Sequence, residues 1–192
     1  MDSGKRGRSP VADTAVRTVY GWMKVFTLVF CAGTLLFGIC FRLFRVSGIS
    51  MEPTLVNGDM VLVNSLIASV ETGDVVVIHS DIEGTSSIVK RVIAVAGQSV
   101  SVDYAAGTVT VNGADLPQPV ILRVEDLARN VDDEVRYPYT VPAGSIFVMG
   151  DNTRGSFDSR ARRIGAVDRR FVVGKVAARS GREGFGIVRS RQ

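Results

Sequence analysis

The sequence predicts a mainly β protein: an N-terminal transmembrane helix followed by a complex antiparallel β-fold with a small β insert. Three observations predict it. From Val25 to Phe41 the chain runs 17 residues without a charge, a length that rises about 25 Å as a helix, at the short end of what spans a bilayer. Beyond Arg45 no stretch is apolar enough to span, and short β-branched runs alternate with turn signals instead. Between Gln98 and Thr140 that pattern loosens into a hairpin and a long polar segment with few apolar anchors.

Residues 1–18, with Lys5, Arg6 and Arg8 among Gly, Ser and Pro, read as a basic cytoplasmic tail. Residues 19–44 read as the anchor. Lys24 near one end can snorkel, and Tyr20 and Trp22 suit an interfacial belt. Two other readings compete. A cleaved signal peptide would have a shorter apolar region and an uncharged cleavage region, where Arg42 and Arg45 stand here, although Val46-Ser47-Gly48 offers small residues at a cleavage spacing. A buried core helix would not need 17 apolar residues in succession. Basic residues flank both ends, and their count leans to a cytoplasmic N-terminus.

A β core then occupies 45–97 and 141–180. Its runs are Met60–Val63, Val75–Ile78, Val89–Val95, Ile146–Met149 and Phe171–Val176, separated by turn signals such as Asn57-Gly58-Asp59, Thr72-Gly73-Asp74 and Pro142-Ala143-Gly144. The insert, 98–140, carries the Val100–Val111 hairpin with Asn112-Gly113 after it, and a turn near Glu125–Arg129. Residues 181–192, rich in Gly and Arg, read as a loose tail.

Composition narrows the chemistry. Beyond the anchor, about 145 of the 192 residues remain, enough for one ordinary domain. Cys31 and Cys40 both lie in the apolar segment, so the soluble part has no disulfide and no thiol nucleophile. With His79 the single histidine, no metal or other cofactor is expected. The net charge of +4 reads first as a solvated basic surface, next as one favouring anionic lipid; nucleic acid is not expected as a partner.

Three stretches could carry chemistry. Ser50 lies among small residues in Val46-Ser47-Gly48-Ile49-Ser50-Met51-Glu52-Pro53-Thr54-Leu55, just past the anchor. A serine nucleophile needs a group to take its proton. His79, at the end of an apolar run, would serve in a Ser/His/Asp triad, but no motif around it supports one. The alternative is lysine, and beyond the anchor only Lys90 and Lys175 occur. Strand alternation puts Lys90 on a face with Ile88, Val92 and Ala94, and burial there would favour the neutral amine that a base requires. Arg91 takes the other face with Val89 and Ile93. Both faces are apolar, so periodicity alone does not say which charge is buried, and Lys90 as an edge-strand gatekeeper stays open. The third stretch, Gly150-Asp151-Asn152-Thr153-Arg154-Gly155-Ser156-Phe157-Asp158-Ser159-Arg160, reads either as a surface loop with Asx turns or as a network orienting a catalytic group.

Together these segments resemble the type I signal peptidases, the membrane-bound serine/lysine endopeptidases that remove signal peptides from exported proteins. The resemblance rests on Ser50-Met51-Glu52-Pro53-Thr54-Leu55, Gly73-Asp74-Val75-Val76-Val77, Lys90-Arg91-Val92-Ile93, and Gly150-Asp151-Asn152 through Ser156, Asp158, Ser159 and Arg160, in the family's order behind an anchor. It implies the signal peptidase β-fold, Ser50 as nucleophile and Lys90 as general base. It also implies Ser156 as the serine orienting the lysine, Asp158 and Arg160 as a supporting ion pair, and Asp151 as support. Phe44, Val46 and Val89 fall where the family lines shallow pockets for small side chains at −1 and −3, which implies Ala-x-Ala sites. Some members place a serine two positions before the nucleophile, where its hydroxyl helps form the oxyanion hole. Here that position is Gly48, the form that resembles Gram-positive members, so the oxyanion site would rest on Ser50 and Gly48 and whatever else the fold supplies.

Ser50 lies nine residues past Phe41, a reach of at most about 30–32 Å, so a nucleophile there stays near the bilayer surface. The implied partners are signal-peptide-bearing preproteins and the lipid bilayer, with the catalytic part of a single-pass protein on the extracytoplasmic side of the cell membrane. Two rivals remain at this level: a LexA-like self-cleaving Ser/Lys protein, and a membrane-tethered β module that binds partners without catalysis.

Overall fold

The computed structural model describes residues 10–66, 69–80, 87–116, 134–181 and 184–188. The chain forms two compact units that divide between Cys40 and Phe41. The first is helix α1 (Pro10–Cys40). Pro10 opens it, where a missing N–H is no loss because a helix start leaves those donors unpaired. Its stretch Val16–Cys40, 25 residues with mean hydropathy 2.0, is long and apolar enough to cross a membrane. The helix therefore reaches back into the stretch expected as a polar tail.

It also stops earlier than expected. Phe41–Arg45 forms strand β1 and pairs antiparallel with β2 (Met60–Asn64) along its whole length, from Phe41↔Asn64 to Arg45↔Met60. Residues 41–44, read from sequence as the end of the anchor, belong to the sheet. Arg42 and Arg45 cannot continue a lipid-facing helix cheaply, and the ladder satisfies the backbone that the helix releases.

The second unit continues with β3 (Val75–His79), β4 (Ser87–Val95), β5 (Ser99–Asp103), β6 (Thr108–Val111), β7 (Ala114–Asp115), β8 (Tyr139–Thr140), β9 (Ser145–Met149), β10 (Val167–Asp168), β11 (Val172–Gly181) and β12 (Gly184–Ile187). The larger sheet has the order β1-β2-β11-β3-β4-β9-β10, with β12 paired to the far half of β11. The smaller has the order β7-β6-β5-β8. Every pairing is antiparallel. Part of the expected loose tail is thus a strand. The turn expected near 125–129 lies outside the described residues.

β3, β4 and β9 are buried on both faces, which is why they read as continuous apolar runs rather than alternating ones. One face holds Val46, Met51, Leu55, Val61, Val63, Val75, Val77 and Val176. The other holds Val70, Val76, Ile78, Val92, Ile146 and Val148. A third cluster joins the sheets: Ile93, Ala94, Phe147 and Met149 of the larger pack with Val100, Val102, Val109 and Val111 of the smaller. The insert therefore shares a core with the main sheet rather than building its own. Phe147 sits at the join, its ring 5.5 Å from that of Tyr139.

One sheet face is left apolar and open. The ladder aligns Leu43–Leu62–Ala178–Ile187 in one row and Arg45–Met60–Ser180–Phe185 in the next. Leu43, Met60, Phe185 and Ile187 are all exposed.

Phe147→Ala removes a fully buried ring and is expected to cost about 3–5 kcal/mol. Because the two sheets share that ring, chemical unfolding should shift to lower denaturant as a single transition. Tyrosine fluorescence in a Tyr20→Phe background, where the remaining Tyr104, Tyr137 and Tyr139 all lie in the insert, and far-UV circular dichroism should stay coincident.

Candidate active site

Lys90 and Arg91 are adjacent on β4, opposite Val76 and Val75 of β3, and both are buried. The sequence left open which of the two charges is inside; the central strand takes both, one on each face. Lys90 Nζ donates to Ser156 Oγ at 3.1 Å. Arg91 is held as a fork: Nε and Nη2 donate to the two oxygens of Asp151 at 2.7 and 2.6 Å, and Nη1 to the Gly73 carbonyl at 2.8 Å. A planar guanidinium meeting a carboxylate edge-on is the arrangement in which a buried arginine is best satisfied. Thr54 Oγ1 donates to the same carboxylate at 2.5 Å, which ties the segment after Ser50 to the strand bearing Lys90.

Asp158 and Arg160 form a fully buried ion pair, with Arg160 Nε 2.8 Å from Oδ1 and Nη2 2.8 Å from Oδ2. The Gly150 N–H donates to Asp158 at 3.1 Å, and the Ser156 hydroxyl bonds it as well. Burial alone would raise the Asp158 carboxyl, but Arg160, Ser156 and Gly150 together outweigh it and hold the group below its ordinary value of 3.8. Arg160 Nη2 also reaches the Thr153 carbonyl at 3.0 Å, so the loop is wound around this pair.

Ser50 lies in a tight turn, with Glu52 N–H donating to the Ile49 carbonyl at 3.1 Å and Leu55 N–H to that of Met51 at 2.9 Å. Asn152 grips this turn from the other stretch: its N–H donates to the Ser50 carbonyl at 3.0 Å and its Nδ2 to the Ile49 carbonyl at 3.1 Å. Gly150 explains how the parts come so close. A Cβ there would collide with both the Ser50 carbonyl oxygen and Ser156 Oγ, and would stand 2.6 Å from Ser156 Cβ. The Ser50 turn and the serine that receives Lys90 thus lie against one glycine.

Gly48 has φ +94°, a left-handed backbone that favours glycine. Its N–H donates to Asn57 Oδ1 at 3.2 Å, so this group is engaged rather than free to serve as the oxyanion donor expected there. Phe44, Val46 and Val89 come together in the apolar cluster that also holds Met51 and Leu55. His79 is exposed at the end of β3, three residues along the strand from Val76, the ladder partner of Lys90. Among the described residues no three His, Cys, Asp or Glu side chains group closely enough to hold a metal ion.

Sequence reasoning missed the roles of Arg91, Thr54, Gly150 and Asn152. For Arg91 a signal was present: an arginine inside a strand apolar on both faces must find a carboxylate. Asn152 meets Ile49 and Ser50 from about a hundred residues away, and no local pattern reports that.

Comparison with known proteins defines the class first: the chain matches curated serine peptidases over most of its length. A signal peptidase I of Bacillus amyloliquefaciens is 30% identical over 179 residues, covering 87% of this chain and 90% of the relative. One of Bacillus licheniformis is 31% identical, covering 82% and 86%. Signal peptidase IB of Staphylococcus aureus is 34% identical, covering 71% and 75%. A crystal structure of a signal peptidase I from Enterococcus faecalis aligns with TM-score 0.44 and 25% identity over 57% of this chain and 98% of that one. The family model described as signal peptidase, peptidase S26, matches residues 19–180, and the chain belongs to that family.

Two outcomes follow from the geometry. Gly150→Ala should lower the unfolding free energy by about 1–3 kcal/mol, because the new methyl meets backbone that cannot give way; denaturant titration reads this directly. Asp158 makes the acid limb of stability. Its depressed native value means that below 3.8 the unfolded chain binds a proton the folded protein still refuses. The contribution is therefore complete above 3.8 and is lost as pH falls towards the native value beneath it. In Asp158→Asn, the plot of unfolding midpoint against pH should be flatter in that window.

Proposed function

We propose that Ser50 is the nucleophile and Lys90 the general base of this membrane-anchored serine peptidase, and that it cleaves signal peptides from exported proteins after small residues of the Ala-x-Ala type. One observation carries the reading. The buried amine of Lys90 donates to Ser156 Oγ, and that oxygen and the Ser50 carbonyl both abut Gly150.

The network suggests how the base is readied. The Ser156 hydroxyl donates its hydrogen bond to the Asp158 carboxylate, so towards Lys90 its oxygen acts as acceptor. An amine donating in that direction turns its lone pair elsewhere, and a neutral lysine can then take the Ser50 proton as Ser50 attacks the scissile carbonyl. Burial disfavours the ammonium before the attack. The nearby Asp158 charge eases it once formed, until the proton passes to the leaving amine. Water then hydrolyses the acyl-enzyme with Lys90 again as base. The cluster of Phe44, Val46 and Val89 offers shallow apolar contact that suits small side chains at −1 and −3.

The family and the apolar helix make this a membrane-anchored enzyme. We further propose a single pass, with the catalytic unit outside the cytoplasm, and lipid contact through the open face of Leu43, Met60, Phe185 and Ile187. A signal peptide's apolar part is still in the bilayer when its cleavage site emerges, so a nucleophile a few residues past the anchor meets it there.

The test is cleavage of an Ala-x-Ala preprotein in liposomes. Ser50→Ala and Lys90→Met should each lose roughly 10⁴-fold or more in kcat while remaining folded. Lys90→Arg should not restore activity, since a guanidinium stays charged. In the wild type, kcat/KM should rise with pH as the lysine loses its proton. Activity that survives Lys90→Met but disappears in His79→Ala would replace the lysine base with histidine.

A further inference from the structure

We propose that Asn152 is a positioning residue that aims the oxyanion donor. It fixes the Ile49–Ser50 peptide so that the Ser50 N–H faces the developing negative charge. The inference deepens the reading of Ser50 as nucleophile and rests on it.

In a trans peptide the C=O and the following N–H point in opposite directions. The Ile49 carbonyl and the Ser50 N–H belong to one such unit, so whatever grips the carbonyl also sets the direction of the N–H. Two donors grip it: Glu52 N–H at 3.1 Å from within the turn, and Asn152 Nδ2 at 3.1 Å from the far stretch. The next peptide is held by the same residue, through Asn152 N–H to the Ser50 carbonyl at 3.0 Å. Both peptides that flank Ser50 are therefore oriented by Asn152.

The Asn152 side chain is itself locked. Its Oδ1 accepts from Gly155 N–H at 3.2 Å, which sets the amide so that Nδ2 points at Ile49. A Cβ on Gly155 would lie 2.9 Å from Ile49 Cδ1 and 3.1 Å from Asn152 Nδ2, so Gly155 lets the loop close down on this contact. Two donors on the Ile49 carbonyl also polarise its peptide and make the Ser50 N–H a stronger donor. With the Gly48 N–H engaged by Asn57, the Ser50 N–H carries more of the oxyanion's stabilisation, and its aim matters correspondingly.

The experiment compares full-length wild type, Asn152→Ala, Asn152→Asp and Ser50→Ala. It measures preprotein cleavage, affinity for a peptide boronate that forms a tetrahedral adduct on the serine, and affinity for the cleaved signal peptide as a ground-state ligand. Circular dichroism is recorded at the assay temperature. In both Asn152 variants, kcat and boronate affinity should fall together by roughly tenfold to a hundredfold, less than or equal to the loss of a whole oxyanion donor. KM and signal-peptide affinity should stay within about twofold. Asn152→Asp, though isosteric, should fall further than Asn152→Ala, because it turns a carboxylate oxygen on the Ile49 carbonyl. Wild-type kcat in Asn152→Asp would overturn the proposal. So would a fall in kcat without a matching fall in boronate affinity, or losses that follow the folded fraction. Ser50→Ala separates the two readings: if it still cleaves, the nucleophile assignment fails whatever the Asn152 variants do.

Discussion

The Asp158 carboxylate is the constraint on which the rest of the site depends. It has no exposure to water, and it gathers Arg160, the Gly150 N–H at the end of β9, and the Ser156 hydroxyl. A bare carboxylate so placed would be prohibitively costly, and a lone partner would not repay its desolvation. The multiple donors do, and they fix three parts of one loop relative to each other. Ser156 can then present an acceptor to Lys90 only because its own proton is already committed. The orientation of a lysine on β4 is thus tied, through Ser156, to the Asp158 carboxylate.

A second buried pair performs a different task. Arg91 and Asp151 join β4 to the end of β9, and Thr54 adds the Ser50 segment to the same carboxylate. Two ion pairs therefore support adjacent residues of one strand, Lys90 through the Asp158 group and Arg91 directly. This division explains why the larger sheet tolerates two neighbouring basic side chains at its centre. Each face of β4 offers its own anion, and the apolar clusters on both sides exclude water from both.

Much of this was legible in the sequence. The β-branched runs around Val75–Ile78, Val89–Val95 and Ile146–Met149 are central strands, and their lack of alternation reports burial on both faces. The apolar span reads as a helix because nothing else accommodates so many uncharged residues. What was not legible has physical causes. β1 is continuous in composition with the anchor, so only pairing with Met60–Asn64 reveals where the helix ends. The insert looked poor in apolar residues because half of its core, including Phe147, is supplied by the main sheet. The clamp from Asn152 depends on a contact between distant segments, and a glycine at 150 gives no hint that it stands between two serines.

Gly48 has a consequence for how such a site can change. The surroundings leave room for a side chain there, since nothing lies within 4 Å of an added Cβ. The obstacle is the backbone: at φ +94° an L-residue is strained whatever the space around it. A serine at this position would therefore strain the backbone even with room for its hydroxyl. The turn is held in this path by the bonds between Val46 and Asp59, Gly58 and Val46, and Gly48 and Asn57. Grafting one hydroxyl onto this position would add the group without a main-chain path that suits it.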